Sequence, residues 1–172
     1  MSGPTRIVVA PPVPALLPAH SSLADPVAEL RDACLAAMAW LGPEAEVVAD
    51  DDQARRVGEW LLGPGRPPRP PVGGAGPDLL VMANGSACRS ERAPGHLDER
   101  AAAFDEELGA ALAAGDTAAL ARLDLALGDE LLASGLRGLV GLSWMRVAEA
   151  TVDHADDPFG VMYWVVRWQC ES

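Results

Sequence analysis

The residues best suited to chemistry lie in one polar loop, 84–96, which follows a short apolar run. In this loop Cys88 is followed directly by Arg89, and His96 closes the segment. A cationic neighbour that lowered the pKa of Cys88 would give a thiolate nucleophile, for which His96 would be the base. The alternative is that Cys88 only fills space and that Arg89 pairs with Glu91 or another carboxylate, because spacing alone does not establish nucleophile–base geometry.

The apolar run before this loop, residues 79–83, predicts a buried parallel strand, since such strands are apolar on both faces. Ligands of α/β proteins bind beyond the carboxyl ends of parallel strands, so the loop is the expected binding site. Asn84 and Ser86 could hydrogen-bond a ligand there, and they are equally ordinary turn residues.

The elements around the loop alternate between strands and helices. Strands are expected at 5–10, 46–49, 77–83, 148–154 and 159–170, and helices at 25–41, 52–62, 97–114, 116–127 and 136–147, with a further turn at 128–133. This order predicts an α/β fold of three layers, α/β/α, around a mixed, mostly parallel central sheet. A length of 172 residues suits a single domain, 1–172.

Two segments bear on how this domain meets solvent and partners. Residues 63–76 are rich in proline and glycine, which predicts a flexible surface loop, or alternatively a proline-rich ligand for a partner domain. In the helix at 97–114, one side is apolar and the acidic residues are expected to form a solvated face. Those acidic residues are Asp98, Glu99, Asp105, Glu106 and Glu107.

Trp164 and Trp168 lie four residues apart on the last strand, with Val166 between them, so all three share one face. That face either packs against a helix layer or serves as an association surface. A homo-oligomer or a heteromeric partner is therefore left open.

The charge balance narrows the classes of partner. The net charge is −12, and all 13 cationic residues are arginine, a bias that suggests a GC-rich genome. Such a charge repels phosphate backbones and anionic lipid, so nucleic acid and membrane are not expected partners, and a small molecule is. With no apolar run long enough to cross a bilayer and no leader pattern, the expected location is the cytoplasm. The three cysteines, Cys34, Cys88 and Cys170, are expected to be reduced thiols.

Several segments, in order, resemble a known family. They are 9–18 (Val-Ala-Pro-Pro-Val-Pro-Ala-Leu-Leu-Pro), 84–89 (Asn-Gly-Ser-Ala-Cys-Arg), 93–101 (Ala-Pro-Gly-His-Leu-Asp-Glu-Arg-Ala), 104–105 (Phe-Asp), 114–116 (Ala-Gly-Asp), 120–125 and 157–163 (Asp-Pro-Phe-Gly-Val-Met-Tyr). The series resembles the class III extradiol ring-cleavage dioxygenase family, particularly its actinobacterial branch. The resemblance covers most of the chain.

The resemblance implies a non-haem Fe(II) held by two histidines and a glutamate, with a further histidine as acid/base, for cleavage of a catechol ring by dioxygen. This chain departs from that pattern at the site itself. Pro12 falls where the first metal histidine stands, and Cys88 falls near the acid/base position. There is no histidine between His20 and His96 to supply the second ligand, and Glu149 is the nearest glutamate downstream of the expected position.

The resemblance therefore implies a shortened, degenerate dioxygenase-like protein that has lost iron-dependent ring cleavage and keeps a role in binding a small molecule or a protein. No cofactor and no metal site is expected, although His20, His96 and His154 could in principle form a relocated centre. The expected ligand pocket consists of Pro12, Asn84, Ser86, Cys88, Arg89 and Tyr163. Two alternatives stay open: an enzyme of altered chemistry, acting on a small aromatic or polyketide-like substrate through the 84–96 loop, and a non-catalytic interaction subunit.

Overall fold

A five-stranded mixed sheet forms the centre of the molecule. The computed structural model describes residues 2–18, 24–63 and 75–171. The strands are β1 (Ser2–Pro4), β2 (Arg6–Ala10), β3 (Glu46–Val48), β4 (Ala75–Gly76), β5 (Leu79–Met82), β6 (Val147–Asp156) and β7 (Tyr163–Cys170). The central sheet has the order β3-β5-β2-β7-β6, and β1 pairs with β4 in a separate two-stranded sheet. Strands β3, β5 and β2 are parallel, whereas β7 and β6 are antiparallel to their neighbours.

Helices cover both faces of this sheet. They are α1 (Ala28–Trp40), α2 (Asp52–Leu62), α3 (Arg100–Ala114), α4 (Thr117–Leu120), α5 (Leu125–Glu130) and α6 (Leu136–Val140), with a 3-10 turn at Pro14–Leu16. Helices α1 and α2 pack on one face, and α3 to α6 on the other. The expectation of a three-layer α/β fold with a mixed sheet is confirmed.

Strand alternation divides the apolar residues into two cores. On β2, Ile7 and Val9 face the α3 side, and Val8 and Ala10 face the α1 side, because successive side chains of a strand point to opposite faces. Strand β7 does the same, with Trp164, Val166 and Trp168 facing α3 and with Tyr163 and Val165 facing α1. The central strands therefore belong to both cores at once.

The last strand buries its aromatic face within the monomer. Trp164 and Trp168 lie in the core beneath α3, and the indole N–H of Trp168 donates a hydrogen bond to the carbonyl oxygen of Leu112, 2.9 Å away. Because the face is filled by a helix of the same chain, the sequence-based choice between burial and an association surface is settled for burial.

Three expected boundaries are wrong, each for a tertiary or local reason. The helix expected at 97–114 begins at Arg100, because the Asp98 carboxylate accepts the backbone N–H of Arg100 in a turn. The helix expected at 136–147 ends at Val140, and Val147 instead opens β6 by pairing with Cys170. Most of the loop expected at 63–76 lies outside the described residues, but its last two residues form β4.

No helix in the described part of the chain is both long and apolar enough to span a membrane.

Candidate functional site

The loop after β5 is held in place by backbone hydrogen bonds on both sides. On one side, the N–H groups of Asn84 and Ala87 donate to the carbonyl oxygens of Ser134 and Leu131, at 3.0 and 2.9 Å. On the other, the loop segment 84–89 exchanges hydrogen bonds with the segment 160–162, which leads into β7. The loop is thus an ordered part of the sheet edge at the carboxyl ends of β2 and β5.

A buried carboxylate, that of Asp105 on α3, anchors this loop. Its two oxygens accept the backbone N–H of Ser86 at 2.7 Å and the Ser86 hydroxyl at 2.6 Å. Asp105 is 2% exposed. A Cβ atom at Gly85 would lie 2.5 Å from Oδ1 of Asp105 and 2.8 Å from the ring of Trp164, so the close approach of α3 and β7 to the loop requires glycine there.

Arg89 extends the same network to the surface. Its Nη1 donates to Asp105 at 3.1 Å, and its Nε donates to Asp157 at 2.5 Å. The hydrogen bond to Asp157, and then the bond to Asp105, raises the pKa of Arg89 above its ordinary value, against partial desolvation. The guanidinium is thereby fixed between two carboxylates.

One nitrogen of Arg89 keeps its donors free. Within residues 2–18, 24–63 and 75–171, Nη2 has no hydrogen-bond partner. Solvent must reach Nη2, because none of the buried side-chain nitrogen and oxygen atoms described lacks a partner. The Arg89 side chain is 26% exposed, so a donor for an oxygen acceptor is presented at this edge of the sheet.

An open groove of about 400 Å³ lies beside this guanidinium. Helix α3 forms one wall, and the loop with the start of β7 forms the other. The lining residues are Arg89, Ala102, Asp105, Glu106, Gly109, Met162 and Trp164. A volume of this size accommodates a small organic molecule, and apolar walls with a few fixed polar groups are typical of ligand sites.

Of the expected pocket residues, only Arg89 lines this groove. Ser86 lies behind it, fully buried and bonded to Asp105. Asn84 is also buried, and its side-chain amide donates to the carbonyl oxygen of Gly85. Tyr163 packs in the core on the α1 side of the sheet, opposite to Cys88, because neighbouring positions of a strand point to opposite faces. Pro12 is half-buried. The structure does not bring these six residues together around one cavity.

Cys88 does not have the surroundings of an activated thiolate. Its thiol donates to the carbonyl oxygen of Leu131 at 3.4 Å, and burial, followed by the nearby carboxylates of Asp98 and Asp105, raises its pKa. Arg89 forms its ion pairs with Asp105 and Asp157 and not with Glu91. These surroundings favour the alternative in which Cys88 fills space.

The proposed base, His96, lies on the surface. Its Nδ1 is 3.4 Å from the carbonyl oxygen of Glu91, and its backbone has a left-handed φ of 58°. Within the described part of the chain, no hydrogen bond joins His96 to Cys88. The structure therefore shows no nucleophile–base pair between these two residues.

The side chains present do not fit the iron centre that the family resemblance implies. Pro12 has no donor atom for a metal, and the thiol of Cys88 is buried against a carbonyl group. Among the residues described, no three His, Cys, Asp or Glu side chains lie close enough together to hold a metal ion. His20 lies outside the described residues, and His154 lies on the edge strand β6.

The sequence-based site missed the residues of α3. Asp105 was expected on a solvated face, and that expectation is wrong, since Asp105 is buried between Phe104 and Leu108 in the helix. A signal was available: the buried positions 101, 104, 105, 108, 111 and 112 follow one helical stripe, on which Asp105 is the single charged residue. For Met162 and Asp157, which precede and face this groove, no signal in the sequence marked a site.

Comparison with known proteins adds no further assignment. No protein-family model matches the chain, and no curated protein matches it.

Proposed function

We propose that this protein binds a small organic molecule in the groove between α3 and the start of β7, and that it does not carry out iron-dependent ring cleavage. The observation that carries the proposal is the fixed guanidinium of Arg89, whose free Nη2 donors meet an open groove of about 400 Å³. Two carboxylates hold the guanidinium before any ligand arrives. Binding therefore costs little ordering of this side chain.

The rest of the site supports a binding role over catalysis. The walls supplied by Met162 and Trp164 are suited to an apolar body, and Arg89 is suited to one oxygen acceptor of the ligand. The loss of ring cleavage rests on residue identity: Pro12 and Cys88 stand where the resembled family places histidines. The buried thiol of Cys88, with its raised pKa, also gives no support to the alternative of an enzyme that uses this residue as nucleophile.

A groove-filling variant tests the binding role. Ala102 is an exposed residue of α3 that lines the groove, and Ala103 is its exposed neighbour outside the lining. Ala102→Leu should abolish binding of small aromatic probes in ligand-observed NMR and thermal-shift assays, while Ala103→Leu should leave it unchanged. Both variants should fold, because leucine is nearly as favourable as alanine in a helix.

Two outcomes would contradict the proposal. If a panel of neutral, cationic and anionic aromatic molecules gave no binding that Ala102→Leu removes, the groove would not be a ligand site. If the purified protein supplied with Fe(II) consumed oxygen with a catechol, at a rate above that of free Fe(II), the loss of ring cleavage would be wrong.

A further inference from the structure

The charges around the groove are unequal. Asp105 and Glu106 line it, and Asp157 is bonded to Arg89, so three carboxylates surround a single guanidinium. Both ion pairs of Arg89 are already made within the protein. The groove therefore carries an excess of two negative charges, within a molecule whose net charge is −12.

Glu106 is the carboxylate that can respond to a ligand. It is exposed on α3, and no hydrogen bond or ion pair to it exists among the residues described. Asp105, by contrast, already accepts three hydrogen bonds, two from Ser86 and one from Arg89. An incoming cationic group would gain a partner at Glu106 without displacing an existing one.

An anionic ligand meets the opposite situation. To reach Nη2 of Arg89, it must approach a guanidinium that Asp105 and Asp157 already neutralise, and both carboxylates would repel it. A neutral oxygen acceptor meets no such repulsion. The apolar wall of Met162 and Trp164 provides no charge of either sign.

From this balance, and resting on the proposed function, we infer that the ligand is a small organic cation: an ammonium group directed at Glu106 and joined to an apolar body that packs on Met162 and Trp164. Such a ligand uses both features of the groove, since a charge-assisted hydrogen bond fixes its head and apolar contact holds its body. Aromatic side chains also favour cations over anions.

Three probes that share one body test the sign of the charge. Calorimetric titration of the full chain at low ionic strength should rank 2-phenylethylamine first, 2-phenylethanol second and phenylacetate last, with the amine at least tenfold tighter than the acid. Raising the salt concentration should weaken binding of the amine and leave that of the alcohol nearly unchanged, because only the charged contact is screened.

The variant Glu106→Gln provides the residue-level test. It should weaken the amine by about three- to tenfold and should not change the alcohol, since a surface charge contact is worth about one factor of ten at most. Glu107→Gln, the next residue of α3 and outside the groove lining, is the matched control and should change neither.

The results separate this inference from the proposed function. If phenylacetate binds as tightly as the amine, or if Glu106→Gln weakens the amine and the alcohol equally, the cation is wrong while the groove remains a ligand site. If the amine does not bind, the cation is also wrong. Whether the groove binds small molecules at all is decided separately by the broader panel and Ala102→Leu.

Discussion

At the scale of single residues, Asp105 has the largest effect on the site. Its carboxylate joins three parts of the chain: α3, which carries it, the loop at Ser86, and the guanidinium of Arg89. A buried charge is destabilising unless it is paired and hydrogen-bonded, and here both conditions hold. The position of Arg89 in the groove is therefore set by Asp105 as much as by Asp157.

Replacing this carboxylate should destabilise the fold. In Asp105→Asn, the side-chain NH2 group would face donors from Ser86 or Arg89, so at least one hydrogen bond is lost in a buried place. We expect a loss of about 2 to 4 kcal/mol in the free energy of unfolding, measured by urea denaturation at pH 7. Glu106→Gln is the matched control on the adjacent exposed residue, and its effect should stay within about 0.5 kcal/mol. Equal denaturation midpoints for the two variants would show that the Asp105 network does not stabilise the fold.

At the scale of elements, the loop and the helices depend on contacts distant in sequence to different degrees. Helix α2 was predicted at its observed residues because its signals are local: Asp51 accepts the backbone N–H of Ala54 at 2.8 Å, and the helix is amphipathic. The end of α6 was predicted wrongly because the chain leaves the helix to pair β6 with β7, two strands that are distant from the α6 sequence signals. Local capping favours a helix, but strand pairing decides where this one stops.

The turn before α6 gives an element-scale prediction. Gly135 has a left-handed φ of 74°, and a Cβ there would lie 2.0 Å from the carbonyl oxygen of Met82 and 2.7 Å from Cα of Ala83. Gly135→Ala must therefore push the turn away from the end of β5 and break the bridge between Asn84 and Ser134. We expect it to cost about 2 to 4 kcal/mol more than the control Gly63→Ala in urea denaturation.

Gly63 is a suitable control because it also has a positive φ, 99°, while a Cβ there would meet no described atom within 4 Å. Its substitution measures the backbone strain alone, about 1 to 2 kcal/mol. If the two variants lost the same stability, the contact between the turn and β5 would not contribute.

At the scale of the whole molecule, both cores contain buried thiols. Cys34 lies in the core on the α1 side, and Cys88 and Cys170 lie in the core on the α3 side; all three are free. Burial raises the pKa of Cys34 to about 12 and, together with the charge of Asp78, that of Cys170 to about 11. The chain contains no lysine and a single tyrosine, so few other side chains titrate between pH 8 and pH 11.

This burial makes stability fall in alkali. Each thiol stays protonated in the folded chain and ionises near its ordinary pKa of 9.0 in the unfolded chain. Its contribution is complete below pH 9, and it is lost as the pH rises toward about 11 for Cys170 and about 12 for Cys34.

We expect the loss of stability between pH 7 and pH 10.5 to be smaller in Cys34→Ala than in the natural chain, by about 1 to 2 kcal/mol. Urea denaturation at the two pH values measures this difference, and the cavity left by the substitution cancels because it is present at both. An identical pH dependence in both proteins would mean that Cys34 is not held protonated by the fold.

The amino-acid sequence by itself determined the three-layer α/β fold, the alternation of both faces of β2 and β7, and the helix at α2. These features depend on hydrophobic period and capping, which act over a few neighbouring residues. The sequence also indicated the loop after β5 as the place where a site would form, and Arg89 is the one expected pocket residue that lines the groove.

Only the tertiary structure decided what the site contains. Asp105 meets Arg89 and Ser86 from 16 and 19 residues away, and Asp157 meets Arg89 from 68 residues away. Such contacts depend on how the chain returns across the sheet, and spacing in the sequence carries no record of that path. The burial of Asp105, the groove between α3 and β7, and the separation of Cys88 from Tyr163 by the sheet all follow from it, because packing brings together residues that periodicity treats independently.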